Sequence, residues 1–332
     1  MENTASHGAG APGAQPPRNA HSHIWMMSLV GIAVGGAMMI FLPQLKIAST
    51  SILLFAGFHV LGGIVLLASA WTGGLRNLVR RFAPPAMAKG YDFGWGPGWM
   101  NGLAIAALVA LTAAVVIQLQ WPAWWPISLL AVALAMLLLT GNQIMRGFRR
   151  PDQVVLPMVD LVRGETDRVL DAGCGSGRTT IALARVLRSG TVTAVDRFDA
   201  GYIDDGGQAL LKHNLALASL TDRVTIEQAD LTAMPFAADA FDAAVSAHVY
   251  DHLGAQKQLG LEEMFRVLRP GGRFLMAVWT PGWAMFAVAN VLSLFLTPKS
   301  AWRDMAARAG FQTVDEGMFN NTWFVLLEKP VA

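Results

Sequence analysis

The sequence predicts a chain in two parts: an α-helical membrane domain of four transmembrane helices, followed by an α/β domain built on a mostly parallel sheet. Three observations carry this reading. Four long uncharged runs precede residue 150, and short β-rich runs alternate with helical ones after it. The second part also opens on Val169-Leu170-Asp171-Ala172-Gly173-Cys174-Gly175-Ser176-Gly177-Arg178, an apolar run that ends in a carboxylate and three alternate glycines. That pattern reads as the end of a buried strand, a tight turn and a helix N-terminus whose free N–H groups face a ligand.

The uncharged runs are Ile24 to Leu45, Ile47 to Trp71, Trp99 to Gln120 and Trp125 to Met145. Each reaches the roughly 20 residues a helix needs to cross a hydrocarbon core. None has the polar stripe of a helix buried in a water-soluble domain. The first is too long in its apolar core, with only Arg18 close before it, for a cleaved leader. Arg76, Arg80, Arg81 and Lys89 lie between the second and third runs, and Arg146, Arg149 and Arg150 follow the fourth. The first connection carries only Lys46 and the last carries no basic residue. Basic loops stay on the cytoplasmic side, so both termini and the second domain are expected there, in the cell's inner or plasma membrane. Trp25, Trp71, Trp99, Trp121, Trp124 and Trp125 stand at run ends, where an indole favours the headgroup region.

Within the runs the polar inventory is thin. His59, Asn101 and some hydroxyls are present, without carboxylate, lysine or arginine, which argues against transport or a proton relay. His59 reads first as an interhelical hydrogen-bond donor. Gly31 and Gly35 have the spacing that lets helices approach closely and would allow a homodimer through the membrane helices. The domain boundaries follow: 1–22 a disordered tail rich in Ala, Gly, Pro, Ser and Asn, 23–150 the transmembrane domain, and 151–332 the α/β domain.

The net charge of +2 hides an asymmetry. Residues 1–150 hold nine basic and two acidic side chains, and residues 151–332 hold sixteen basic and twenty-one acidic. An acidic second half excludes nucleic acid as its natural partner, and the basic loops are accounted for by topology or by anionic lipid. The single cysteine, Cys174, excludes an intrachain disulfide and a cysteine-cluster zinc site; it reads as a small residue of the turn.

In the second half, strands are expected at Arg168 to Asp171, Val192 to Asp196, Val224 to Gln228, Ala243 to Ala247, Phe274 to Trp279 and Trp323 to Glu328. Helices are expected at Thr179 to Leu187, Gln208 to Ala218, Leu261 to Leu268 and Ala301 to Ala309. In an open α/β sheet the ligand lies beyond the carboxyl ends of the strands, near the point where strand order reverses. Asp171, Asp196 and Asp230 all fall there, beside the glycine turn. A dinucleotide reading would need glycine where Arg178 stands, and no G-K-[ST] ending supports a phosphate loop.

At these residues the domain resembles the class I S-adenosylmethionine-dependent methyltransferases. Asp171 to Gly177 is similar to their first motif, Asp196 to the ribose-binding acid, Asp230-Leu231 with Met234-Pro235-Phe236 to the adenine-binding segment, and Leu268 to Arg273 to the turn before the fifth strand. The likeness covers roughly residues 165–280 and is nearest to the ubiquinone and menaquinone C-methyltransferase branch. It implies a Rossmann-like sheet of seven strands and S-adenosyl-L-methionine as the methyl donor. Asp171, Gly173, Cys174, Gly175, Gly177, Asp196, Arg197, Asp230, Leu231 and Ala247 are the donor-binding residues it implies. The stretch from Arg197 to Gly207 is longer than the usual turn, and Phe198 or Tyr202 can fill the adenine-stacking role.

The chemistry agrees. Asp196, Asp230 and Asp171 can accept hydrogen bonds from a ribose diol, an exocyclic amine and an ammonium group, and backbone N–H groups of Gly173 to Gly177 can receive a carboxylate. Transfer from an activated sulfonium mainly requires the acceptor to be held in line and shielded from water. His248, Tyr250, Asp251 and His252 follow the fourth strand and are the candidate catalytic residues, with a histidine the natural base. No metal is expected.

Trp283 to Leu296 is apolar but too short to span a bilayer; it reads either as an interfacial lid or as an ordinary buried helix. Tyr91 to Trp99, glycine-rich and aromatic, is expected along the same boundary. The sequence therefore predicts an integral-membrane methyltransferase acting on a hydrophobic acceptor such as a prenylated quinol, another isoprenoid or a lipid headgroup. The alternatives are an aminopropyltransferase and a non-catalytic membrane sensor or scaffold for the same donor.

Overall fold

The computed structural model describes residues 22–57, 90–94, 97–148, 155–164, 167–187, 189–200 and 207–331. The first half is helical: α1 Ser22–Phe41, a second helical stretch over 46–57, α2 Pro97–Gln120 and α3 Trp125–Phe148. α2 and α3 pack through Ala107, Ala110 and Ala135, small side chains that allow close approach, with Leu138 buried beside them. Their outer surfaces carry exposed Leu108, Val115, Leu119, Leu129 and Met136. Five such side chains in water would each forgo roughly 1.5–3 kcal/mol of burial, whereas lipid imposes no such cost.

Among the described residues, two helices are long and apolar enough to cross a membrane, 101–120 and 122–147, and Leu29–Phe41 is a shorter apolar helix. The sequence expectation of four spanning helices is thus met at two. The second run from residue 58 onward, with His59 and Trp71, and the 1–21 tail lie outside the described residues. The Gly31 and Gly35 surface is used within the chain: a Cβ at Gly31 would stand 2.9 Å from that of Ala56, and one at Gly35 2.8 Å from Leu53 Cγ. At the α2–α3 turn Trp121 and Trp124 cluster, with the Lys46 ammonium 5.2 Å from the Trp124 ring.

The second half is a seven-stranded mixed sheet in the order β3-β2-β1-β4-β5-β7-β6. The strands are β1 Arg168–Ala172, β2 Thr191–Asp196, β3 Val224–Gln228, β4 Phe241–Ala247, β5 Leu268–Val278, β6 Gln312–Phe319 and β7 Thr322–Glu328. β1 to β5 pair in parallel, and β7 is antiparallel to both β5 and β6. The helices are α4 Arg178–Val186, α5 Gln208–Leu217, α6 Lys257–Val267, α7 Trp283–Ala289 and α8 Lys299–Arg308.

Period-two alternation sorts the strand residues to two faces. Phe274, Met276 and Val278 join Trp302, Leu261 and Met264 on one side, while Leu275 and Ala277 join Ile181, Leu183, Leu211 and Leu215 on the other. Parallel strands covered on both faces read as near-continuous apolar runs, which is why the central parallel strands were legible in sequence; β3 and the antiparallel β7 were read from it as well. β6 was not among the strand runs read from the sequence. Its face is exposed and polar, and a bulge falls between Thr313 and Asp315, a common way to blunt a sheet edge.

Sheet order reverses between β1 and β4, so the crevice lies beyond the ends of those two strands. Ser246 Oγ donates to Ala172 O (2.7 Å) and ties the two ends together.

Candidate functional site

The glycine turn leaves β1 and folds back onto β2. Gly173 N and Cys174 N both donate to Val195 O (2.7 and 3.0 Å), Gly175 N to Asp196 Oδ2 (2.9 Å) and Gly177 N to Cys174 O (2.8 Å). These four amides serve the turn itself, which corrects the expectation that they await a ligand carboxylate. The glycines also divide. A Cβ at Gly173 would stand 2.3 Å from Val249 Cγ2 and one at Gly177 2.3 Å from Leu211 Cδ1, so these two are glycine for protein packing. At Gly175, φ is +48° and nothing lies within 4 Å of an added Cβ; this is the turn's open face.

Asp171 lies in the crevice, 1% exposed. Its Oδ2 accepts from Thr180 Oγ1 (2.6 Å), and its buried Oδ1 has no protein partner. Burial pushes the carboxyl up to about 7, the Thr180 bond opposing and the Asp196 charge adding. Asp196 accepts from Gly175 N with one oxygen and from Phe198 N with the other (both 2.9 Å). Burial raises its pKa against those two bonds. Ionised, it has lone pairs left for hydroxyl donors.

At Asp230, burial is outweighed by bonds from Thr232 N and Oγ1 and by Arg197, whose Nη1 is 3.6 Å away, so its carboxyl is held below the usual value. Arg197 also meets Asp199 at 3.2 Å and spans the ends of β2 and β3. Leu231 turns its side chain into the core, and Ala247 ends β4. Cys174 is buried with its thiol pushed well up by burial, so it stays protonated and inert as a nucleophile. Phe198 packs against the β1–β2 side of the core, and Tyr202 lies outside the described residues.

The post-β4 segment sorts its four candidates differently from the sequence expectation. His248 adopts a left-handed φ of 60° and sets its ring 5.2 Å from that of Trp279, with Nδ1 buried. Burial lowers its imidazole to about 4, with Asp251 opposing and His252 and Arg178 adding to the fall, so the ring is neutral at physiological pH. Asp251 accepts from Trp279 N (3.3 Å) and keeps a buried Oδ1 without a partner. His252 is exposed.

Tyr250 is a correction. It is fully buried, stacks near Phe274 and donates its hydroxyl to Gly260 O (3.0 Å), and burial drives its phenol upward. It is a core residue and cannot reach an acceptor. No cluster of three or more metal-ligating side chains occurs among the described residues.

Other residues enter the site without sequence warning. Thr180 holds Asp171, Trp279 packs on His248, and Asn214 and Phe93 buttress the turn from distant positions. A threonine one turn into a helix after a glycine motif is a usable signal, but a bond between residues 122 positions apart leaves none.

The topology defines an α/β domain with a crevice lined by acidic side chains, and comparison with known proteins shows what it is similar to. Residues 170–276 match the family described as methyltransferase domain. That stretch runs from β1 to β5 and takes in the glycine turn, Asp196 and Asp230. A ubiquinone/menaquinone biosynthesis C-methyltransferase of Geotalea daltonii is 32% identical over 121 residues, covering 36% of this chain and 48% of that protein. The enzyme of the same name from Geobacter sulfurreducens is 36% identical over 110 residues (33% and 40%). A fatty-acid O-methyltransferase of Mycolicibacterium smegmatis is 35% identical over 111 residues (33% and 36%). The chain thus spans less than half the length of these relatives. Two features of the structure fit S-adenosylmethionine as cofactor: the open face at Gly175 and the unpartnered buried oxygen of Asp171, which suits a cationic group.

Proposed function

We propose that the chain is a membrane-anchored S-adenosylmethionine-dependent methyltransferase whose acceptor is a lipophilic molecule reached from the bilayer, with a prenylated quinol the leading class. The supporting observation is the seat of α7 on α3. A Cβ at Gly141 would stand 2.0 Å from Ala287 O, so the segment after β5 is pressed, backbone to backbone, against an apolar helix. Next to that contact Trp283, Phe286, Leu294 and Phe295 expose apolar surface, which suits a bilayer boundary. Relatives named for quinone biosynthesis and for fatty acids favour an apolar acceptor.

In this reading Asp196 accepts from the ribose hydroxyls, Asp230 from the adenine amine and Asp171 from the ammonium group of the donor. When bound, the donor supplies a methyl group on a positively charged sulfur. The chain's own task is placement: His248 and Trp279 orient the acceptor, and the apolar surround excludes water. An imidazole held near 4 is a weak base, so His248 serves better as a neutral hydrogen-bond acceptor that orients an acceptor hydroxyl. Both termini and the catalytic domain face the cytoplasm, as the basic loops imply.

The test is to incubate native membranes carrying the chain with methyl-labelled S-adenosylmethionine and to fractionate the label. Label in the organic lipid extract is expected. Label confined to aqueous products, or donor binding without any transfer, overturns the reading in favour of a soluble acceptor or a sensor.

A further inference from the structure

Residues 91–94 belong to the connection that leads into α2, yet they are built into the back of the donor turn. Phe93 is buried in the same core cluster as Cys174, Ile181, Leu211 and Leu215. Ser176 Oγ donates to Phe93 O (3.1 Å). Asn214, with no exposed surface, joins the two: its Oδ1 accepts from Asp92 N (3.0 Å), and its Nδ2 donates to Asp92 O and to Ser176 O (both 2.9 Å). Asp92 then closes the segment by accepting from Gly94 N (2.8 Å), and Arg185 donates to the Tyr91 hydroxyl (2.6 Å). This position differs from the sequence expectation, which put the segment along the membrane boundary beside Trp283 to Leu296.

The bonds have a geometric consequence. The Ser176 carbonyl and the Gly177 N–H share one rigid peptide plane. Asn214 holds the carbonyl, and Cys174 O holds the N–H at 2.8 Å. That plane follows Gly175, whose face is the open one. Removing the 91–94 segment would leave the Asn214 amide, which holds the Ser176 carbonyl, buried with two of its three bonds gone, and Ser176 Oγ would lose its acceptor in Phe93 O.

We propose that residues 91–94 are a clamp supplied by the membrane half to the donor site, with Asn214 as the positioning residue that couples them. The proposal rests on the reading that the Asp171–Gly177 turn holds the donor. Docking of the clamp fixes the turn in its binding form, and by linkage donor binding must tighten the clamp by the same factor. Events at the base of α2 are thereby transmitted to the donor site.

The experiment uses the full chain in detergent micelles with S-adenosylhomocysteine as a non-reacting probe. Calorimetry and hydrogen exchange are run on wild type, on Asn214→Leu, which keeps the volume without the bonds, and on Phe93→Ala, which lies outside the sheet. With probe bound to wild type, exchange at the Asp92 and Gly94 amides is expected to slow about tenfold. Either variant should weaken probe affinity about tenfold and abolish that slowing. A merely structural contact would not make exchange at 92 and 94 depend on the probe. Probe binding that leaves exchange unchanged, with variant affinities within about twofold of wild type, overturns the clamp alone. Failure of wild type to bind the probe overturns both the clamp and the donor-site reading.

Discussion

At the scale of single residues, Asp171 sets a conflict between stability and binding. Its folded pKa of about 7 exceeds the ordinary 3.8, so between roughly pH 4 and 7 the folded state holds more protons than the unfolded one. Stability contributed by this group is therefore present at low pH and is lost as pH rises through 7. A cation at Oδ1 relieves the cost by favouring the ionised form. Two outcomes follow. Asp171→Asn, which retains an acceptor for Thr180, should raise the melting temperature of donor-free protein at pH 8 and weaken donor binding more than tenfold. In wild type the donor KM should rise about tenfold per pH unit below 7, while kcat at saturating donor stays flat to about pH 5, because His248 remains neutral until about 4. Rates measured from pH 4.5 to 8.5 check both. A KM indifferent to pH would remove Asp171 from the donor site. The strand-end carboxylates were legible because the sequence places acids after apolar runs; the burial of Tyr250 was not, because a tyrosine in a post-strand loop carries no mark of which way it points.

At the scale of elements, the parallel strands and the helices between them followed from apolar runs and turn signals. β6 did not, since an edge strand reading Gln-Thr-Val-Asp-Glu-Gly-Met-Phe offers neither a buried run nor a clean alternation. β5 began earlier than expected: Phe241 pairs with Leu268 and Ala243 with Arg273, so the Pro-Gly-Gly turn bulges within the strand. α7 was read as a lid or a core helix, and its contact explains the ambiguity: one side lies against α3 and the other exposes Trp283. Glycine in mid-helix costs about 1 kcal/mol against alanine, so Gly141 stands in α3 for close approach to Ala287. Gly141→Val should leave affinity for S-adenosylhomocysteine within about twofold and slow transfer to native-membrane lipid at least tenfold, since a displacement of about 1 Å near a reacting group can cost a hundredfold. Equal transfer by the variant would show that the α3–α7 seat has no part in acceptor delivery.

At the scale of the whole molecule, composition changes near residue 150, where uncharged runs give way to short apolar segments interspersed with charges. The interlocking of the two halves was hidden. The Asn214 bonds to Asp92 and the approach of Gly141 to Ala287 join positions distant in sequence, and neither residue type announces a partner. Among the described residues the halves meet behind the glycine turn, at Asn214 and Asp92, and at Gly141 and Ala287; the proposed function makes the first of these the donor side and the second the acceptor side. The most direct measurement of that claim is surface dilution. The purified chain is placed in vesicles of native lipid extract, diluted stepwise with inert phosphatidylcholine at constant total acceptor, and supplied with methyl-labelled S-adenosylmethionine. The rate of label entry into lipid is expected to fall in proportion to the acceptor's mole fraction in the bilayer; a rate that follows only its bulk concentration would contradict delivery from the membrane.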